Sequence, residues 1–139
     1  MKISSLPLAT SLVSLLEGQG YIDLYPPQEE CIKAGLFDGK NLLLTTPTAS
    51  GKTLVAMLAA AKMVLENRGK VVYLTPLRAL ANEKFEEFKK LEELQKENGD
   101  KVRVKISTGD YDSSGESLGS GDVVVLTNER FDSILRHKV

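Results

Sequence analysis

The sequence predicts an α/β fold, a parallel β-sheet flanked by helices. Two observations carry this. Short apolar runs, Leu42-Leu43-Leu44, Val71-Val72-Tyr73-Leu74 and Val123-Val124-Val125-Leu126, alternate with longer helical patterns. Continuous apolar runs suit strands buried on both faces of a parallel sheet, and the intervening helices suit crossovers. The second observation is Gly51-Lys52-Thr53, which lies between the first apolar run and a segment rich in Ala, Leu and Met. A Gly-Lys-Thr turn between a strand and a helix is the setting of a phosphate-binding loop.

The elements follow in order. Residues 8–17 read as an amphipathic helix on Leu12, Val13, Leu15 and Leu16, closed by Gly18-Gln19-Gly20. Pro26-Pro27 opens a helix expected to run to about Phe37, since proline is tolerated in a first turn. Gly39 ends it, and residues 41–45 make the strand that enters the loop. Leu54 to Leu65, almost wholly apolar, predicts a helix inside a core that stops near Asn67-Arg68-Gly69. Val71 to Leu74 is a buried strand. Residues 79–96 form a charged helix with Leu80, Phe85, Phe88, Leu91 and Leu94 as its apolar stripe. Glu86 with Lys90, and Glu92 with Lys96, are spaced four apart as supportive pairs. Val102 to Ile106 alternates, as a strand near a sheet edge does. Residues 112–121 are loop material, 122–126 a buried strand, and 129–137 a short final helix ending at His137.

Bulk properties bound the function. A length of 139 residues, 42% hydrophobic and 27% charged, describes one globular domain. Eighteen basic against nineteen acidic side chains leave a net charge of −1, so any basic patch is local. The single Cys31 excludes a disulfide framework and reads as a small core residue. No stretch has the length of a membrane span, and the expected setting is the cytoplasm.

The chemistry centres on Thr46, Pro47, Thr48, Ala49, Ser50, Gly51, Lys52 and Thr53. Such a turn points backbone N–H groups inward, and the following helix adds its positive dipole end, so a triphosphate fits there. Gly51 allows close backbone approach. Lys52 can set its ammonium between the β- and γ-phosphates, and the Thr53 hydroxyl can ligate Mg²⁺. The general pattern begins with Gly where this chain has Thr46. The competing reading is an ordinary turn with a solvated Lys52, but a cation at a helix start is unfavourable without an anion.

Four pieces then stand in order: Leu24-Tyr25-Pro26-Pro27-Gln28, Thr46 to Thr53, Thr75-Pro76-Leu77-Arg78-Ala79-Leu80, and Thr127-Asn128-Glu129-Arg130. This order resembles the first RecA-like motor domain of superfamily 2 helicases, in the superkiller-like branch and within it the archaeal DNA repair helicases. A small residue at position 46 agrees with that family. The resemblance implies a P-loop NTPase fold using ATP and Mg²⁺, with single-stranded or forked DNA as partner; the oligomeric state is open, a monomer being favoured. It implies that Gln28 reads adenine, whose N6 and N7 edge matches a glutamine amide. It also implies nucleic-acid backbone contacts at Pro76, Arg78, Thr108, Gly109, Thr127 and Asn128. Without the family, Gln28 reads as a surface residue of a first helical turn, Arg78 equally as a solvated side chain or as a phosphate contact beyond a strand's C-terminal end, and Thr127 or Asn128 as a helix cap.

The family's Asp-Glu-x-His box, which completes the Mg²⁺ site and positions the attacking water, has no counterpart before Val139. Asp110, Asp112 and Asp122 are the nearest carboxylates and match no such motif. Residues 1–139 are therefore expected to be the N-terminal, truncated part of motor domain 1, inactive alone. An RNA helicase of the same superfamily, a small P-loop kinase and a non-catalytic nucleotide-binding module are the alternatives.

Overall fold

The computed structural model describes residues 1–45, 51–108 and 119–137. The chain divides into two compact units, Met1–Lys62 and Met63–Val139.

In the first unit the start of the chain lies antiparallel to residues 22–24. The Ile3 N–H donates to the Ile22 carbonyl at 2.9 Å, and the Leu24 N–H to that of Met1 at 2.9 Å. Helix α1 (Thr10–Gly18) buries Leu12 and Leu16, while Ile3, Leu6 and Leu24 are buried as well. Helix α2 (Pro26–Lys33) ends earlier than its sequence suggests. Gly35, at φ +104°, takes the left-handed conformation that stops a helix, and a 3-10 turn over Leu36–Asp38 follows. Cys31 is buried. Burial, and secondarily Glu30, raises its thiol pKa, as fits a core side chain.

Helix α3 (Lys52–Leu65) is buried on most of its circumference by Leu54, Val55, Met57, Leu58, Ala60, Ala61, Val64 and Leu65. Lys62, which interrupts the apolar run, donates from Nζ to the Pro7 carbonyl at 2.7 Å and stands 5.4 Å from the Phe37 ring centre. Its charge is thus anchored locally instead of being buried unpaired.

The strand expected over residues 41–45 is not present. Leu43 is 92% exposed and Leu42 is also exposed. Strand propensity in a few residues does not supply the partner a ladder needs.

The second unit holds a parallel sheet of β1 (Val71–Thr75), β2 (Val104–Ser107) and β3 (Val123–Thr127) in the order β1-β3-β2. β3 is buried throughout, as expected of the central strand. β1 is not buried on both faces: Val72 and Leu74 are exposed. Among the described residues it is an edge strand, and its Tyr73 side is covered by Phe88 of helix α4 (Arg78–Lys89), with ring centres 5.1 Å apart. The parallel register sets Val72 beside Val124 and Leu74 beside Leu126. On that opposite face, helix α5 (Asn128–His137) packs Phe131 and Ile134 on Val124 and Leu126.

After α4 the chain tightens into a 3-10 turn, Lys90–Glu93, where the sequence suggested continued α-helix. The charges there serve tertiary contacts. Glu92 accepts the Val104 N–H at 3.0 Å, and Lys96 pairs with Asp122 at 3.0 Å. Asp122 also accepts the Arg103 N–H at 2.9 Å. It sits just before β3, where it ties the starts of β2 and β3 together.

Candidate functional site

In the first unit the candidate nucleotide residues meet at the start of α3. Gly51 has φ +99°, a conformation strained for any residue with a Cβ. A Cβ there would also lie 3.0 Å from Nε2 of Gln28. The backbone conformation favours glycine, and a Cβ would in addition press on the neighbouring amide. The Gly51 carbonyl accepts from the Val55 N–H at 3.3 Å and from Gln28 Nε2 at 3.1 Å.

Gln28 is only 4% exposed, so it is not a surface residue of a first helical turn. Its Oε1 accepts the Tyr25 N–H at 2.7 Å, which satisfies a backbone donor at the start of α2. Its amide therefore bridges the starts of two helices and retains one further N–H and one further acceptor lone pair. That spare pair is what recognition of an adenine edge requires.

Lys52 is exposed and Thr53 half-buried in the first turn of α3. A 14-residue helix brings its positive dipole end to this point. The Lys52 ammonium and the Thr53 hydroxyl, at the positive end of the α3 dipole, fit a nucleotide phosphate with its metal. Thr46, Pro47, Thr48, Ala49 and Ser50 lie outside the described residues, as do Gly109, Asp110 and Asp112. Asp122, bonded to Lys96 and to the Arg103 N–H, is occupied structurally and lies at the end of β3 remote from its C-terminal edge.

In the second unit the parallel strands carry the remaining candidates to one edge of the sheet. β1 leads into Pro76 and Arg78, β2 into Thr108, and β3 into Asn128. Ligands of α/β proteins bind beyond such C-terminal strand ends. The register pairs Thr75 with Thr127, and Ser107 with Leu126, which brings Thr108 level with Thr127. A row of three buried threonines thus crosses the edge.

Two of these hydroxyls have structural partners. Thr75 Oγ1 donates to the Leu77 carbonyl at 3.0 Å and shapes the turn into α4. Thr127 Oγ1 accepts the Arg130 N–H at 3.2 Å, the expected N-cap of α5. Thr108 Oγ1 is buried and has no hydrogen-bond partner among the described residues. An unsatisfied buried hydroxyl costs about 1–3 kcal/mol, and a ligand oxygen or N–H would remove that cost. Arg78 is exposed at the first position of α4.

The sequence assigned no role to Arg130 or Ser107. Arg130 Nε donates to Ser107 Oγ at 2.8 Å, joining the start of α5 to the end of β2. Thr127 and Arg130 are three apart, as a cap and its N3 residue are, but nothing in their spacing signals a partner 23 residues earlier.

Comparison with known proteins places the chain in a family. The DEAD/DEAH box helicase pattern matches residues 25–139. The chain is 47% identical to the ATP-dependent DNA helicase Hel308 of Pyrococcus abyssi over 137 residues, 99% of this chain and 18% of that protein. It is 48% identical to the protein of the same name from Thermococcus kodakarensis, over 99% of this chain and 12% of that protein. The match to Hel308 of Methanocella arvoryzae is 49% over 138 residues and 18% of its length. The chain thus spans less than a fifth of the length of these curated relatives. Among solved structures, a variant of S. cerevisiae Dbp5 bound to RNA and ADP BeF3 superposes with a TM-score of 0.81 at 18% identity. That match covers 99% of this chain and 34% of Dbp5, and it shows the RecA-like fold. With a family match from Tyr25 onward and nearly half of all positions shared with named helicases, the chain belongs to the DEAD/DEAH box helicase family.

Proposed function

We propose that residues 1–139 are the N-terminal, ATP-binding part of motor domain 1 of an ATP-dependent DNA helicase that translocates on or unwinds single-stranded or forked DNA in repair. The observation that carries this reading is the buried Gln28 amide seated on the Gly51 carbonyl at the start of α3. It joins a base-reading group to a phosphate-binding turn.

In this reading Gln28 holds the adenine edge. Gly51 gives the turn its left-handed backbone conformation, and Lys52 neutralises the β- and γ-oxygens. Thr53 would hold Mg²⁺ through its hydroxyl, and the metal would supply charge neutralisation at the phosphate oxygens. Pro76, Arg78, Thr108, Gly109, Thr127 and Asn128 hold the sugar–phosphate backbone of the tracked strand, which fixes register without reading sequence. No helix among the described residues is long and apolar enough to cross a membrane, and the working protein is read as a cytoplasmic monomer.

The test is ATP hydrolysis and strand displacement by the full-length protein, with and without single-stranded DNA. Stimulation by DNA is expected. Stimulation by RNA of the same length to an equal degree would overturn the choice of DNA, and dependence on a small phosphate acceptor would make the protein a kinase.

Two substitutions probe the roles separately. Gln28→Ala narrows the preference for ATP over GTP, because a site built to hydrogen-bond a group discriminates against ligands lacking it. Its thermal midpoint also falls, since the Tyr25 N–H and the Gly51 carbonyl each lose a partner, about 1 kcal/mol apiece. An ATP/GTP ratio identical to wild type would leave Gln28 a purely structural bridge. Arg78→Ala weakens single-strand binding equally for all base sequences. It also reduces the slope of log K against log salt by about 0.7, the value for one phosphate contact on a single strand. A sequence-dependent loss, measured by fluorescence anisotropy on several oligonucleotides, would contradict a backbone contact.

A further inference from the structure

We propose that Arg130 is a positioning residue for nucleic-acid binding, setting the spacing between the ends of β2 and β3 through its bond to Ser107. The proposal rests on the reading of this sheet edge as a strand-binding surface.

The geometry is specific. Ser107 is fully buried, the last residue of β2, and its Oγ accepts from Arg130 Nε at 2.8 Å. Arg130 lies in the first turn of α5 and donates its backbone N–H to Thr127 Oγ1 at 3.2 Å. One residue thus holds both strand ends: its side chain grips β2 and its main chain is capped by the last residue of β3. The candidate contacts sit one position beyond each grip, Thr108 after Ser107 and Asn128 after Thr127.

The strand ladder alone does not define this edge. The last registered pair between β2 and β3 is Ser107 with Leu126, so Thr108 lies past the ladder. The guanidinium supplies a link at that point, and its planar, pre-organised donors lose little freedom in making it. Thr108 Oγ1, buried and without a hydrogen-bond partner among the described residues, lies directly after that link. A displacement of the β2 end would move this hydroxyl relative to Thr127 and Asn128. One nucleic-acid backbone could then no longer meet all three.

The contacts that Arg130 positions are neutral hydroxyls and an amide. Their loss lowers affinity without changing the number of counterions released, whereas loss of a cation on phosphate changes the salt slope. This separates positioning from direct contact.

The experiment compares Arg130→Gln, Ser107→Ala and the double variant in the full-length protein, with Arg78→Ala as the phosphate-contact reference. Single-strand affinity is measured by anisotropy from low to high salt, and ATPase activity is titrated with DNA and with ATP. Each single variant is expected to weaken DNA binding about five- to tenfold with an unchanged salt slope. The double variant should lose no more than Arg130→Gln alone. The DNA concentration for half-maximal stimulation rises while KM for ATP stays at the wild-type value.

A salt slope lowered by about 0.7 in Arg130→Gln, with Ser107→Ala at wild-type affinity, would make Arg130 a direct phosphate contact and overturn the proposal. Unchanged DNA affinity in Arg130→Gln and Ser107→Ala, with Arg78→Ala weakened, would overturn it in favour of a purely structural bond. If the wild-type protein binds no single strand and hydrolyses ATP without stimulation, the strand-binding reading itself fails, and the positioning role falls with it.

Discussion

Lys52→Ala in the full-length protein lowers ATP affinity by at least about thirty-fold, and the loss is electrostatic. Removing one partner of a desolvated charge pair costs about 2–5 kcal/mol, and each 1.4 kcal/mol is about a factor of ten in affinity. Lys52 meets the conditions for such a loss. It is exposed without nucleotide, so it has no core contacts to forfeit, and it stands in the first turn of a helix whose dipole opposes its charge. That opposition gives the prediction a second sign. Removing the charge leaves the thermal midpoint unchanged or raises stability by about 0.3–1 kcal/mol. Calorimetry with ATP and thermal melting of the same samples check both. Equal ATP affinity in variant and wild type would detach Lys52 from the phosphate; lost affinity with a lowered midpoint would point to misfolding.

The parts of this molecule that were legible in its sequence are those set by local chemistry. The apolar run of residues 71–74 and that of 123–126 are strands, and the Ala-, Leu- and Met-rich run after Thr53 is a helix buried on most sides. Thr127, one of the two cap candidates the sequence offered with Asn128, caps the last helix. The parts that were not legible depend on partners distant in sequence. Residues 41–45 have the composition of a strand, but composition names no neighbour, and the segment forms no ladder. The run Val71 to Leu74 is as apolar as a doubly covered strand, yet Val72 and Leu74 are exposed because β1 is at an edge. Lys96 is spaced for Glu92 on a helix, but the α-helix ends at Lys89, which frees Lys96 to pair with Asp122.

The same contrast runs through the candidate site. Gln28 and Gly51 could each be singled out from sequence, the one by its place before the loop and the other by its place in it. Their contact could not, since the two lie 23 residues apart and join the starts of two helices. The Arg130–Ser107 bond spans the same separation and likewise lies outside any motif spacing.

Phe88→Ala is the substitution expected to cost most in stability, about 3–5 kcal/mol. Phe88 is fully buried. Its ring stands 5.1 Å from that of Tyr73 at 55°, a tilted arrangement that adds to the burial energy. It seats α4 on the face of the sheet that also holds Val71, Val123 and Val125. Truncation leaves a cavity between helix and sheet that close packing cannot heal cheaply. The consequence reaches the strand-binding edge, because α4 begins at Arg78 and a helix that shifts on its sheet carries its first residue with it. Phe88→Leu, which keeps most of the volume, is expected to cost less than Phe88→Ala. Urea unfolding with a constant m-value measures the stability terms, and single-strand affinity of the same full-length variants measures the reach. A loss below about 1 kcal/mol for Phe88→Ala would mean that α4 is not held by this residue. Lost strand affinity in both variants with wild-type stability would mean that Phe88 acts on the edge by some route other than seating the helix.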